Sequence, residues 1–363
     1  MSNTLIVAGA TGLIGAAVVE HFAALPGWRV IALSRRAPAL PSGVHHVALD
    51  LTDAQACRAA VRASHPGCAD ATHLVYAALY EQPDVVAGWR DTRQMSVNLA
   101  MLRNLMDALE PVAPGLRHVT LLQGTKAYGS HVAPVPVPAK ERWPRHPHEN
   151  FYWLQEDLLR ARQPGATWHY SILRPHVVLG DAQGSPMNLM AAVGAYAAVM
   201  RALGEPLHWP GGGRYVSAGS DSRVIAQAVE FCATQAAAAG QTYNVVNGDV
   251  MVWQDLWPSI AAHFGMTPGG DRAMVLARQM PQYEPVWAEL VARHGLCSGT
   301  LDAFVGRSWQ FADRAFAAGV DDPVDVVLSP VKLWQAGFRG CTDTEDAVRY
   351  WLARMQRARR LPP

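Results

Sequence analysis

The chain is short of net charge: 31 Lys and Arg stand against 30 Asp and Glu, leaving +1 over 363 residues. That removes the main reason to expect nucleic acid, whose phosphates need clustered basic side chains. Cysteine is scarce too, and Cys57, Cys68, Cys232, Cys297 and Cys341 are widely spaced with no CxxC pair. Such a set argues against a disulfide framework or a zinc site and fits reduced, buried thiols in a cytoplasmic protein. No HExxH occurs, and His146-Pro-His148 lies in a proline-interrupted loop, so no metal is expected. No Ser stands in a GxSxG setting, which leaves a hydrolase without its anchor. The most apolar run, LMAAVGAYAAVM at 189–200, is too short to cross a bilayer and ends at Arg201, so a buried helix lining a pocket is expected there. The N-terminus reads MSNTLIVAGATG, going directly into a strand pattern, with no basic stretch followed by an apolar one. A soluble cytoplasmic chain without membrane or nucleic-acid partners is the expectation.

What is present is a nucleotide-binding rhythm. TLIVA at 4–8 suits a strand buried on both faces, and GATGLIG follows with Gly9, Gly12 and Gly15 at even intervals before AAVVEHFAAL in helical period. In such a strand, loop and helix the first glycine permits a tight turn, the second lets backbone N–H groups approach a pyrophosphate, and the third lets helix and strand pack closely. An NAD protein usually carries Asp or Glu about twenty residues further on. Here WRVIALSRR at 28–36 ends in Ser34-Arg35-Arg36, and two guanidiniums suit a 2′-phosphate, so NADP(H) is expected.

Further strand patterns fall at 45–53, 71–80, 117–129 and 167–180, with helical stretches such as 98–109 between them. Strands alternating with helices predict an α/β fold, a Rossmann-type doubly wound parallel sheet with ligands at the carboxyl ends of its strands. The expected cofactor contacts are Gly9, Thr11, Gly12, Leu13, Ile14, Ser34, Arg35, Arg36, Asp50, Leu51, Ala77, Gln123, Pro175 and Val177, with Asp50-Leu51 bordering the adenine. Residues 1–180 form the NADP(H)-binding domain, to which 215–250 return. Residues 181–363 form a smaller, mainly helical substrate-binding region.

Within that frame the chain resembles the short-chain dehydrogenase/reductase superfamily. Its usual members carry a Tyr and, one helical turn later, a Lys on the same helix. Here NFYWLQED at 150–157 places Glu156 and Asp157 where that Lys falls, and Lys126 stands instead in the strand-end loop LLQGTKAYG. Glu156 and Asp157 are read as first-turn carboxylates favoured by the helix dipole. Together with RPHVVLG, YNVVNGDVMVWQDLWP, EPVWAELVARHGL and GFRG, these stretches resemble the progesterone 5β-reductase and iridoid synthase-like (PRISE) family over nearly the whole chain. The resemblance implies NADPH-dependent reduction of the C=C bond of an α,β-unsaturated carbonyl compound, with Tyr152 and Lys126 as the catalytic pair and a small-molecule enone, whether steroid, cyclic or linear, as substrate. A homodimer is compatible with it.

The chemistry agrees. Hydride reaching the β-carbon of an enone drives negative charge onto the carbonyl oxygen, where a preaimed donor is typically worth roughly 2.7–4 kcal/mol. A tyrosine hydroxyl, of ordinary pKa about 10, can serve, and a nearby ammonium lowers that value. Plant relatives commonly show two adjacent tyrosines where this chain has Tyr152-Trp153. If the working phenol belongs at 153, Tyr128 or Lys126 alone must substitute. A carbonyl reductase, an epimerase and a non-catalytic NADPH binder are the rival readings. Met187, Met190, Trp309, Phe311 and Phe338 either line an apolar pocket or pack as ordinary core. The glycines at 211–213 lack the Lys-Ser/Thr of a P-loop and are expected to form a turn.

Overall fold

Apolar runs that stop at glycine, proline or small residues become strands here. In the computed structural model, which describes residues 3–37, 39–63, 67–84 and 87–363, these are β1 (Asn3–Ala8), β2 (Trp28–Ser34), β3 (His45–Ala48), β4 (His73–Tyr76), β5 (His118–Leu122) and β6 (His169–Pro175). A further strand, Gln241–Val245, completes a seven-stranded sheet in the order Gln241–Val245, β6, β5, β4, β1, β2, β3. Every pairing in it is parallel. Such a sheet needs cover on both faces. On one face the helix α1 (Leu13–Ala23) packs on the helix Ser222–Thr234. On the other lie α2 (Ala54–Ala63) and α3 (Thr92–Leu109). Their Cys57, Val61, Leu102 and Leu105 pack with Ile6, Ala8, Ile31, Leu33, Leu74, Tyr76, Val119 and Leu121 of the strands. The alternate strand residues, Leu5 and Val7 among them, are buried towards the opposite face. The helix α4 (Phe151–Arg162) lies beside α3. This is the doubly wound fold, and strand order reverses about β1.

Two strand patterns end earlier than their sequence suggests. The 45–53 stretch stops pairing after Ala48, because the Asp50 carboxylate takes both the N–H and the hydroxyl of Thr52 and closes a turn. The 167–180 stretch breaks at His176, since Pro175 has no N–H with which to extend the ladder.

The chain divides into two compact units. One comprises the residues through His176 with Ser222–Val245 and Leu328–Gly340. The other comprises Val177–Asp221, Val246–Val327 and Cys341–Pro363. The second unit is built on the helix Leu189–Ala202, buried at every position from Leu189 to Met200. Trp209, Trp253, Trp257, Trp287 and Phe316 surround it in a single core. Gly211, Gly212 and Gly213 lie against backbone: a Cβ on each would stand 2.3, 2.1 and 2.0 Å from the carbonyl oxygens of Phe316, Ala317 and Asp321. That run is a packed turn. Among the described residues no helix is long and apolar enough to cross a membrane. Cys57, Cys68 and Cys232 are buried, whereas Cys297 and Cys341 are exposed, against the expectation of five buried thiols; all five are free.

Candidate active site

The glycine loop after β1 follows the geometry each glycine calls for. Gly9 has φ +83°, and a Cβ there would lie 2.7 Å from the backbone of Ala77 and Ala78, so the loop after β1 and the end of β4 meet backbone to backbone. A Cβ on Gly15 would fall 2.1 Å from the Gly9 carbonyl oxygen, which is why α1 can start so close to its strand. Gly12 differs. A Cβ there would come no nearer than 3.4 Å to the Gly9 carbonyl oxygen, so nothing within the chain forces a glycine at the N-cap of α1. Thr11 and Ile14 are half-buried beside it and Leu13 is buried.

At the end of β2, Arg35 and Arg36 are exposed. Ser34 is already engaged: its hydroxyl donates to the Arg36 carbonyl at 2.7 Å and lies 3.0 Å from His46 Nε2. Asp50 is held below the usual carboxylate range, chiefly by the Thr52 N–H and also by the Thr52 hydroxyl and the Arg35 guanidinium, with burial opposing them. Leu51 is buried, and its carbonyl accepts from Asn104 Nδ2 at 2.9 Å.

Beyond β5 the chain makes one tight turn, Thr125–Tyr128, closed by Gly129 at φ +82°. Its neighbours hold it on all sides. Asn150 Nδ2 donates to the Lys126 carbonyl at 2.7 Å, Trp153 Nε1 to the Ala127 carbonyl at 3.2 Å, and Tyr128 Oη to Asn244 Oδ1 at 2.7 Å. Thr125 Oγ1 and His176 Nδ1 lie 2.6 Å apart. Lys126 Nζ sits 3.8 Å from the centre of the Trp89 ring, a cation–π contact. Tyr152 meets the same indole edge to face at 5.1 Å. A Cβ on Gly124 would lie 3.5 Å from the Tyr152 hydroxyl, so the phenol reaches the mouth of the strand-end loop. Lysine loop and tyrosine helix thus converge on Trp89, which is buried and donates its N–H to Glu81 Oε1 at 3.3 Å.

The electrostatics reverse one expectation. Burial, and then the Glu81 carboxylate, push the Tyr152 phenol well above its ordinary value. The chain by itself therefore keeps this hydroxyl protonated, a donor and not a phenolate. Tyr128 is likewise raised by burial, with its hydroxyl committed to Asn244. Trp153 turns its ring towards His148, 4.6 Å away, and its N–H towards Ala127.

Several of the expected contacts also have partners within the chain. Gln123 is buried; its Nε2 donates to the Tyr152 carbonyl at 2.9 Å and its Oε1 accepts from Arg174 Nε at 2.9 Å. Glu156 lies past the first turn of α4 and is buried, not a dipole-favoured surface carboxylate. It pairs with Arg174, Arg160 and Arg145 at 3.2, 2.5 and 3.3 Å. Ala77 N donates to the Ala8 carbonyl at 2.9 Å, and the Pro175 carbonyl faces Gly124. Val177 opens a short strand, Val177–Leu179, in the second unit. Of the residues considered for an apolar pocket, Met190 and Trp309 belong to the second unit's core and Phe311 packs against it. Met187 is half-buried, and Phe338 packs on Phe231 at 5.8 Å in the first unit.

Residues 50–312 match the family model described as a PRISE-like Rossmann-fold domain. The chain belongs to the PRISE-like family. It is 30% identical over 340 residues to the short chain dehydrogenase gsfE of Penicillium aethiopicum, covering 86% of this chain and 88% of that protein. It is 29% identical over 389 residues to an (S)-8-oxocitronellyl enol synthase of Nepeta cataria, covering 98% and 91%. It is also 29% identical over 372 residues to the 3-oxo-Delta(4,5)-steroid 5-beta-reductase of Arabidopsis thaliana, covering 96% and 91%. Among solved structures, the UDP-glucose 4-epimerase of Thermus thermophilus in complex with NAD superposes with a TM-score of 0.66 at 20% identity, covering 97% and 99%, a likeness of fold.

The site of this PRISE-like chain also includes residues that sequence reasoning passed over as functional: Trp89, Glu81, Asn150 and Arg174. Asn150 carries a readable signal, the residue type preferred at a helix N-cap. Trp89 and Glu81 carry none, because Lys126 and Tyr152, which they meet, lie far along the chain.

Proposed function

We propose that this protein is an NADPH-dependent reductase of C=C bonds conjugated to a carbonyl group. The observation that carries the reading is the convergence of Lys126 and Tyr152 on Trp89, with the phenol reaching the strand-end loop at Gly124. The glycine at 12, which packing inside the chain does not demand, and the two exposed arginines after β2 fit a dinucleotide bearing a 2′-phosphate. The dinucleotide supplies a hydride when bound. Tyr152 donates a hydrogen bond from its hydroxyl to the carbonyl oxygen as charge gathers there, and the enolate so formed takes a proton at the α-carbon to give the saturated carbonyl compound. Lys126 adds positive charge beside the reacting oxygen and holds the ribose. The relatives' names point the same way, since a 3-oxo-Δ(4,5)-steroid is itself an enone.

A sugar-nucleotide epimerase is disfavoured: the position one turn after Tyr152 carries Glu156, which is occupied by three arginines. A carbonyl reductase differs in its product. Oxidation of NADPH is to be followed by absorbance with cyclohexenone, progesterone and an acyclic enal, and the products identified. The expected product is the saturated carbonyl compound. An allylic alcohol, or no oxidation with any member of the panel, would overturn the proposal.

A further inference from the structure

Asparagine at position 150 exceeds what its helix needs. Any of Asp, Ser, Thr or Asn caps a helix N-terminus by accepting an N–H. In this chain Asp91 caps α3, and Asp343, Thr300 and Asn188 cap helices of the second unit. The first three only have to accept, whereas Asn188 also donates, to the nearby Ala182 carbonyl at 3.1 Å. Asn150 uses both ends of its carboxamide. Its Oδ1 accepts the Tyr152 N–H at 2.9 Å, while its Nδ2 donates to the Lys126 carbonyl at 2.7 Å and lies 3.4 Å from His148 Nε2. The side chain is 3% exposed. Turning the amide over would set donor against donor at Tyr152 and acceptor against acceptor at Lys126, so only one orientation satisfies it.

We propose that Asn150 is a positioning residue that ties the backbone of the lysine-bearing turn to the backbone of the tyrosine-bearing helix, so that ammonium and phenol keep one relative placement. The inference rests on the enone-reductase reading for its catalytic consequence, but not for its structural one. In usual members of the superfamily one helix carries both groups and fixes their spacing. Here the groups sit on separate segments, and the Asn150 carboxamide supplies the rigid link between them. His148 Nε2, 3.4 Å from Nδ2, can accept from it in the tautomer that leaves that nitrogen without a proton.

The test compares Asn150→Asp with Asn150→Ser. Both keep a cap, and neither can donate from an amide to the Lys126 carbonyl. Three quantities are read: the thermal unfolding midpoint, the kcat and KM for cyclohexenone, and the acetylation rate of Lys126 by mass spectrometry. The Asp variant buries a carboxylate against the Lys126 carbonyl and should lose midpoint as well as kcat. The Ser variant sets no such charge there and is expected to keep its KM and most of its midpoint, to lose kcat roughly 10- to 100-fold through misplacement of the pair, and to acetylate Lys126 several-fold faster. Unchanged kcat and unchanged Lys126 reactivity in that variant would overturn the proposal. So would a loss of kcat matched by a loss of midpoint in both variants, which is the signature of a cap alone. If the unmodified protein reduces no enone, the functional reading fails, and the acetylation comparison still decides whether Asn150 holds the turn.

Discussion

The two ends of the same parallel sheet treat buried ionisable groups in opposite ways. At the amino end, His73, His118 and His169 stand level on β4, β5 and β6. Burial pushes His73 down to about 4, and burial with its histidine neighbours pushes His118 down to about 3. His73 and His118 are like in kind and are held neutral. At the carboxyl end, a cation lies on an indole, a carboxylate sits near a phenol, and Glu156 is ringed by arginines. Groups of opposite character converge there. Burial perturbs groups at both ends, and the convergence of unlike groups is what marks the carboxyl end as the candidate site.

Substitutions at the two ends sharpen this contrast. The largest effect is expected for Tyr152→Phe, which removes the donor and should lower kcat for enones about 10²-fold or more while the unfolding midpoint stays near that of the parent. The companion Trp153→Phe removes the bond to the Ala127 carbonyl and shrinks the ring packed on His148, and should cost far less kcat than Tyr152→Phe. If Trp153→Phe were the more damaging of the two, the assignment of the phenol would move away from position 152. Next, replacing both Arg35 and Arg36 by Ala should weaken NADPH binding roughly 10- to 100-fold, as expected for lost charge-assisted bonds, with NADH binding unchanged. Fluorescence titration with each coenzyme measures it, and equal losses for both would remove the arginines from 2′-phosphate recognition.

The smallest effect on activity belongs to the amino end, where the readout is stability. A histidine buried neutral has a folded-state pKa below its unfolded value. Between about pH 6.5 and the folded values of about 4 and 3, the unfolded chain therefore binds protons that the folded chain does not. Stability is full above that window and is lost as pH falls through it, by roughly 1.4 kcal/mol for each pH unit that separates the folded and unfolded values. His118→Leu should flatten the fall of the unfolding midpoint from pH 7 to pH 5 and leave kcat at pH 7 unchanged. An equally steep fall in the variant would place the acid lability elsewhere.

Much of this was legible in sequence because it is local. The strand at Asn3–Ala8, the left-handed Gly9 and the close-packed Gly15 follow from residue type and spacing. The buried helix at 189–202 follows from an apolar run too short for a bilayer. Other features depend on partners distant in the chain, and these could not be read. Glu156 resembles a surface carboxylate until Arg174, eighteen residues on, is folded against it. Gln123 looks like a loop residue lying open to a ligand, yet its amide is shared between Tyr152 and Arg174. The direction in which the Tyr152 phenol moves is hidden for the same reason: a lysine in the sequence is visible, whereas burial and the Glu81 carboxylate become visible only in space.

The arginine ring around Glu156 bears on how such a site can change over time. In this chain the helical position where usual members of the superfamily keep a lysine carries an anion that pairs with Arg174, Arg160 and Arg145. Reverting it to lysine would not restore the common arrangement. It would set a lysine beside the buried Arg174 and remove the carboxylate that Arg174 meets at 3.2 Å, while Arg145 and Arg160 stand partly exposed nearby. A lysine at position 156 is therefore expected to fold stably only with a compensating change at Arg174.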